Sequence, residues 1–157
     1  MRLWHKDLIP YLPRQQLLSQ WRECCCIARN IAVNGTPNHL LVNKILKYPP
    51  EQFYLYGYWV YAEMVIRGHN VDFSKFDQWF SDERMVPELS RDLRGVYILD
   101  DSLVGKEIFS GWHNDIYLRE CLYNLEEKFN CGGIDDSEWK MILGKFENKF
   151  DLIKRKE

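Results

Sequence analysis

The chain has 157 residues, of which 46% are apolar and 15% aromatic, and its formal net charge is −2. That length supports one domain with a real core, and that composition excludes a disordered chain. No run reaches the roughly 18 apolar residues of a membrane span, and no charged region with a long apolar stretch opens the chain, so no membrane partner is expected and the predicted location is cytoplasmic.

In chain order, Pro10 and Pro13 keep Leu8 to Leu12 out of the first long helix, leaving the N-terminal tail folded back or extended beside it. The helix itself is predicted over roughly 13–33, with Leu17, Leu18, Trp21, Cys24, Cys25, Ala28, Ile31 and Ala32 on its core face. Its polar side carries Gln15, Gln16, Ser19, Arg22, Glu23, Cys26 and Asn30, and Gln15, Arg22 and Arg29 form a line at i, i+7, i+14. Asn34-Gly35 supplies a left-handed stop. Thr36-Pro37 then reads as a cap and first-turn proline of a short helix to Lys47, burying Leu40, Leu41, Ile45 and Val42.

Tyr48-Pro49-Pro50 breaks the chain before a long helix from about Glu51 to Arg67, with Phe53, Gly57, Val60, Tyr61 and Met64 at helical spacing and Gly68 as its stop. Its tyrosines, with Tyr48 before it, are candidates either for helix packing or for stacking on bases. Phe73 to Phe80 reads as a short amphipathic helix and Pro87 to Leu93 as another. Val96 to Leu99 is strand-like but lacks a partner, so no sheet is expected. Asn114 is placed to cap a helix to about Phe129 that buries Leu118, Cys121, Leu122 and Leu125. Asp135 and Glu138 have capping-box spacing ahead of a last helix with the stripe Trp139, Ile142, Leu143, Phe146 and Phe150. The fold class read from these patterns is all-α, a single domain of about six helices.

Five cysteines, three of them consecutive at Cys24 to Cys26, suit reduced thiols packed in a helix rather than a disulfide framework. No Cys-x-x-Cys pair exists, and neither a metal nor another cofactor is expected. The charge is unevenly spread. Residues 1–47 hold seven basic and two acidic side chains, and the remaining 110 hold fourteen and twenty-one. The first third is therefore the part able to face a polyanion.

The run Leu8-x-x-x-Leu12-x-x-Gln15-x-Leu17-x-x-x-x-Arg22-Glu23, closely preceded by Arg2, resembles the N-terminal segment of the pyrimidine-dimer DNA glycosylase/AP lyase family, the phage endonuclease V type. Ala62-Glu63-Met64-Val65-Ile66-Arg67-Gly68-His69-Asn70-Val71 resembles the end of a later helix of that family. The resemblance spans about the first 71 residues. It implies a DNA-repair enzyme acting on damaged double-stranded DNA, at pyrimidine dimers or abasic sites, through an imine formed by the amine at the start of the chain.

Such an amine is chemically apt, since an α-amino group titrates at roughly 7.7–8.0 against about 10.4 for lysine and is the easier nucleophile near neutral pH. The resemblance assigns that amine to the terminus. The bulk of Arg2 opposes removal of Met1, so Met1 is taken as the nucleophile. It assigns Glu23 the role of catalytic acid/base, and Arg2, Gln15 and Arg22 contacts to phosphates and bases. His5, close in sequence to the amine, Gln16, where the family has histidine, and Arg29 on the exposed line are further candidates. The alternative is a non-catalytic nucleic-acid-binding or interaction module on the same scaffold, which retains the pocket without the chemistry.

Overall fold

The computed structural model describes residues 2–81 and 107–152. Met1, the helix expected at Pro87 to Leu93, the strand-like Val96 to Leu99 and the tail from Lys154 lie outside the described residues. Among those described the protein is helical with no strand, as the periodicities predict. Five α-helices follow in order: α1 Arg14–Asn34, α2 Pro50–Ile66, α3 Ser74–Asp77, α4 Asp115–Asn130 and α5 Asp136–Phe146. Three 3-10 segments, Lys6–Tyr11, Val42–Lys47 and Gln78–Ser81, complete the set. No described helix is long and apolar enough to cross a membrane.

α1 ends where the sequence places its stop. Gly35 adopts φ +77 and its N–H bonds to Ile31 O at 2.8 Å, a conformation that a Cβ would disfavour. Its start has no side-chain cap of its own. Glu138 of α5 reaches across instead and accepts from Arg14 N–H at 2.5 Å, placing a carboxylate at the positive end of the helix dipole. Asn114 and Asp135 cap α4 and α5 by accepting from Tyr117 N–H at 3.0 Å and Glu138 N–H at 2.8 Å.

The short helix expected from Pro37 to Lys47 forms only as the 3-10 segment Val42–Lys47. Side-chain oxygens compete for the backbone ahead of it. Thr36 Oγ1 accepts from Asn38 N–H at 3.0 Å, Asn43 Oδ1 accepts from His39 N–H at 3.1 Å, and Asn38 sits at φ 55. Val42 and Ile45 are buried as expected, but Leu40 is 90% exposed and Leu41 lies outside the core as well.

One contiguous core joins all these elements. α1 packs on α2 and on the segment from α3 to Ser81, through an aromatic cluster in which Phe76 lies within 6 Å, centroid to centroid, of Trp21, Phe53, Tyr54, Phe73 and Phe80. Tyr54 and Tyr56 are wholly buried, so packing and not base stacking accounts for both. The Lys6–Tyr11 segment lies between α2 and α5. Arg67 ties it down by donating to Leu12 O at 2.6 Å and Pro10 O at 3.1 Å while pairing with Glu63 at 2.8 Å.

Candidate functional site

The geometry of the site begins with how residues 2 to 6 are held. Arg2 N–H donates to Glu23 Oε2 at 3.3 Å. Leu3 O accepts from the Tyr117 hydroxyl. Trp4 N–H donates to Gln20 Oε1 at 2.8 Å, and the Tyr56 hydroxyl is shared between Trp4 O at 2.6 Å and Gln20 Oε1 at 3.0 Å. Lys6 N–H donates to His113 Nδ1 at 3.0 Å. The stretch leading into the Lys6–Tyr11 segment thus has backbone groups satisfied by side chains from α1, α2, α4 and the loop before α4.

Gln20 is central to this arrangement. It is fully buried on the core face of α1, one turn from Glu23, and its Nε2 donates to Glu23 Oε2 at 3.4 Å. Glu23 therefore receives two hydrogen bonds, one from the start of the chain and one from the helix that carries it, which fix the carboxylate at the level of Arg2.

A cleft of about 470 Å³ opens beside that carboxylate, lined by Arg2, Trp4, Gln15, Gln16, Ser19 and Glu23 from the first third of the chain. Its other walls are His39 and Leu41 from the loop after α1 and Asn124 and Lys128 from α4. Four of the predicted site residues, Arg2, Gln15, Gln16 and Glu23, meet here. Arg22 and Arg29 do not line it. They are exposed on α1, as is Gln15. A larger hollow of about 790 Å³, lined in part by Lys6, Tyr11, Trp59 and Lys145, contains none of the predicted site residues.

Two further candidates, Arg2 and His5, are packed against the segment itself. The Arg2 guanidinium turns inward, over the Trp4 ring at 5.5 Å and to Cys121 Sγ at 3.9 Å, so its backbone nitrogen, and not its side chain, is what faces Glu23. His5 is 2% exposed and stacked on His113 at 5.1 Å, with the Tyr117 ring beside both. Burial lowers the pKa of His5 and drives that of His113 down to about 2, so both are neutral beneath the N-terminal segment. Burial likewise raises the Cys24, Tyr56 and Tyr117 groups around Gln20 and Leu3, and they stay protonated. Met1, the expected nucleophile, is outside the described residues.

Gln20, His39, Asn124 and Lys128 were not singled out by the sequence. Gln20 carries a usable signal, an amide at i+3 from Leu17 and i−4 from Cys24 on an otherwise apolar face. Asn124 and Lys128 stand one turn apart on α4, and only tertiary packing brings them opposite Glu23. Gln16 Oε1 and His39 Nδ1 are shut off from solvent with no hydrogen-bond partner among the described residues. Both belong to residues that also line the cleft.

Residues 1–77 match the family model of pyrimidine dimer DNA glycosylase, the family that the opening segment resembles. No curated protein and no solved structure matches the chain.

Proposed function

We propose that this protein is a DNA-repair glycosylase/AP lyase, using an α-amine at the start of the chain as nucleophile and Glu23 as its acid/base partner. One observation carries the reading: Arg2 N lies 3.3 Å from Glu23 Oε2 at the edge of a 470 Å³ cleft. The match of residues 1–77 to the glycosylase family supports the substrate class.

The chemistry follows from the groups present. The amine lone pair attacks C1′ of the damaged nucleotide, and the glycosidic bond breaks with its electron pair leaving on the base, which then takes up a proton. At an abasic site the same attack expels water. Ring opening yields a protonated imine, and the nearby Glu23 carboxylate stabilises its charge. Glu23 then removes a proton from C2′, the C3′–O bond breaks with its electrons leaving on the 3′ phosphate, and hydrolysis of the imine frees the protein. Arg22 and Arg29, exposed along α1, contact phosphates on the flanking strand.

Which nitrogen attacks depends on processing. In a chain that retains Met1, Arg2 N is an amide, its lone pair delocalised and its proton given to Glu23, so the Met1 amine is the nucleophile. In a chain that has lost Met1, the nitrogen already placed at Glu23 becomes the amine.

Borohydride reduction during reaction with a duplex carrying an abasic site tests the reading. A covalent protein–DNA adduct is expected, and the mass of its N-terminal peptide identifies the modified residue. Glu23→Gln should lower the trapping rate by about 10²-fold or more without changing the urea midpoint. No adduct from protein with a free terminus, together with salt-sensitive DNA binding indifferent to Glu23→Gln, would identify a non-catalytic nucleic-acid-binding module instead.

A further inference from the structure

We infer that Leu40 is a wedge that enters the base stack of duplex DNA beside the lesion and opens the helix toward the Glu23 cleft. The inference rests on the reading of that cleft as a DNA site and adds to it the element that opens the duplex. Leu40 is the most exposed of the large hydrophobic side chains described, at 90%. A lone exposed leucine is ordinary. What sets this one apart is where it stands, how it is held and what charge its segment carries.

Its two chain neighbours, His39 and Leu41, both line the cleft that contains Glu23, so Leu40 stands at the rim of the cleft. The loop that presents it is braced rather than slack. Asn43 Oδ1 accepts from the Thr36 hydroxyl at 3.3 Å and from His39 N–H at 3.1 Å, and Thr36 Oγ1 accepts from Asn38 N–H at 3.0 Å. Val42 N–H and Asn43 N–H both return to His39 O, at 3.1 and 2.7 Å. Below the loop, Val42 and Ile45 anchor in the core. Leucine at the tip of a stiff projection is what unstacking a base step requires, because a mobile side chain would yield before the stack does.

Charge selects the occupant. Residues 24–50 contain Arg29, Lys44 and Lys47 and no acidic residue. Arg29, Lys44 and Lys47 are all exposed, as are Arg22 on α1 and Lys128 on the opposite wall of the cleft. An exposed apolar side chain on a segment with exposed cations and no acid matches a polyanion whose interior is stacked rings. An apolar protein partner would have no use for these exposed cations. A base next to the wedge loses its stacking neighbour, which lowers the cost of bringing the damaged nucleotide to Glu23.

The test compares wild type with Leu40→Ala, a change at a side chain so exposed that folding is untouched, with the thermal midpoint as control. The first probe is a duplex with an abasic site and 2-aminopurine as the adjacent base. Wild type should raise the 2-aminopurine fluorescence on binding, and Leu40→Ala should abolish most of the rise. Borohydride trapping on the duplex should fall about tenfold in Leu40→Ala, while trapping on a single-stranded abasic oligonucleotide, which has no stack to open, should be unchanged. A wild-type fluorescence rise retained by Leu40→Ala would overturn the wedge, as would an equal loss of trapping on both substrates. If wild type traps neither substrate yet shows a Leu40-dependent fluorescence rise, the lyase reading fails and the wedge stands. If wild type does not bind the duplex, both fail.

Discussion

At the scale of single residues, the site depends on one buried amide. Gln20 Oε1 takes the Trp4 N–H and a share of the Tyr56 hydroxyl, while Nε2 steadies Glu23. Replacement by leucine keeps the volume and removes every one of these bonds. Trp4 N–H is then left in the core without an acceptor, a cost of about 1–3 kcal/mol. The segment that carries the start of the chain also loses its register against α1. Gln20→Leu is therefore expected to lower both the urea-derived stability, by that amount, and the rate of borohydride trapping, whereas Glu23→Gln lowers trapping alone. Unchanged trapping in Gln20→Leu would show that the terminus reaches its place without this anchor. The sequence pointed to Glu23 by resemblance but not to Gln20, because an amide within an apolar stripe reads as an interruption of the pattern. Its partners lie 16 and 36 positions away, and no local spacing reveals them. The packing of the Arg2 side chain was illegible for a similar reason. Its guanidinium lies over the Trp4 ring and reaches Cys121, 119 positions away, a neighbour that no local spacing announces.

At the scale of elements, the helices were legible because their signals are local. Gly35, Gly68, Asn114 and Asp135 sit where helices stop or start, and all four do that work here. The segment after Thr36 failed because the same residues that cap a helix can close a loop, and Asn43, seven positions on, tips that balance. Close approach between elements was not legible either. Gly57 lies on α2 where the Phe76 ring presses against the backbone, and a Cβ there would meet ring atoms at 2.2 to 2.8 Å. Phe76 is fully buried among five aromatic rings, so the ring has no free volume into which to swing. Gly57→Ala gains up to about 1 kcal/mol of helix propensity but forces α2 away from α3, at a cost of about 1–3 kcal/mol or more. A net loss of stability is expected, read as a lower urea midpoint. A rise would mean that the contact relaxes cheaply. Because α1 packs on both elements, the loss should also appear as faster exchange of the amides of α1.

At the scale of the whole molecule, the two ends of the chain depend on each other. The family match covers residues 1–77, yet His113, Tyr117 and Cys121 hold residues 2 to 6 in place, and Asn124 and Lys128 form one wall of the cleft. This dependence has a pH signature. His113 Nδ1 accepts the Lys6 N–H, so protonation there would cost the bond as well as bury a charge. Burial foremost, then repulsion from Lys6 and from His5 wherever that ring is protonated, holds its pKa down to about 2, while His5 is lowered mainly by burial against the opposing pull of Asp7. An unfolded histidine binds its proton below about 6.5. Between that value and the folded pKa the unfolded state holds more protons, so stability is full above about 6.5 and falls as pH drops, with His113 alone contributing a slope of up to about 1.4 kcal/mol per unit. The exposed Asp72, Asp115 and Asp135, whose pKa values are lowered by hydrogen bonds, act only below the ordinary carboxylate range, so urea melts between pH 7 and 5 isolate the histidines. His113→Asn keeps an acceptor for Lys6 N–H and removes the titration. It should flatten the wild-type decline by close to the slope of one proton, and parallel declines in the two proteins would show that this imidazole takes up its proton without unlocking the N-terminal segment.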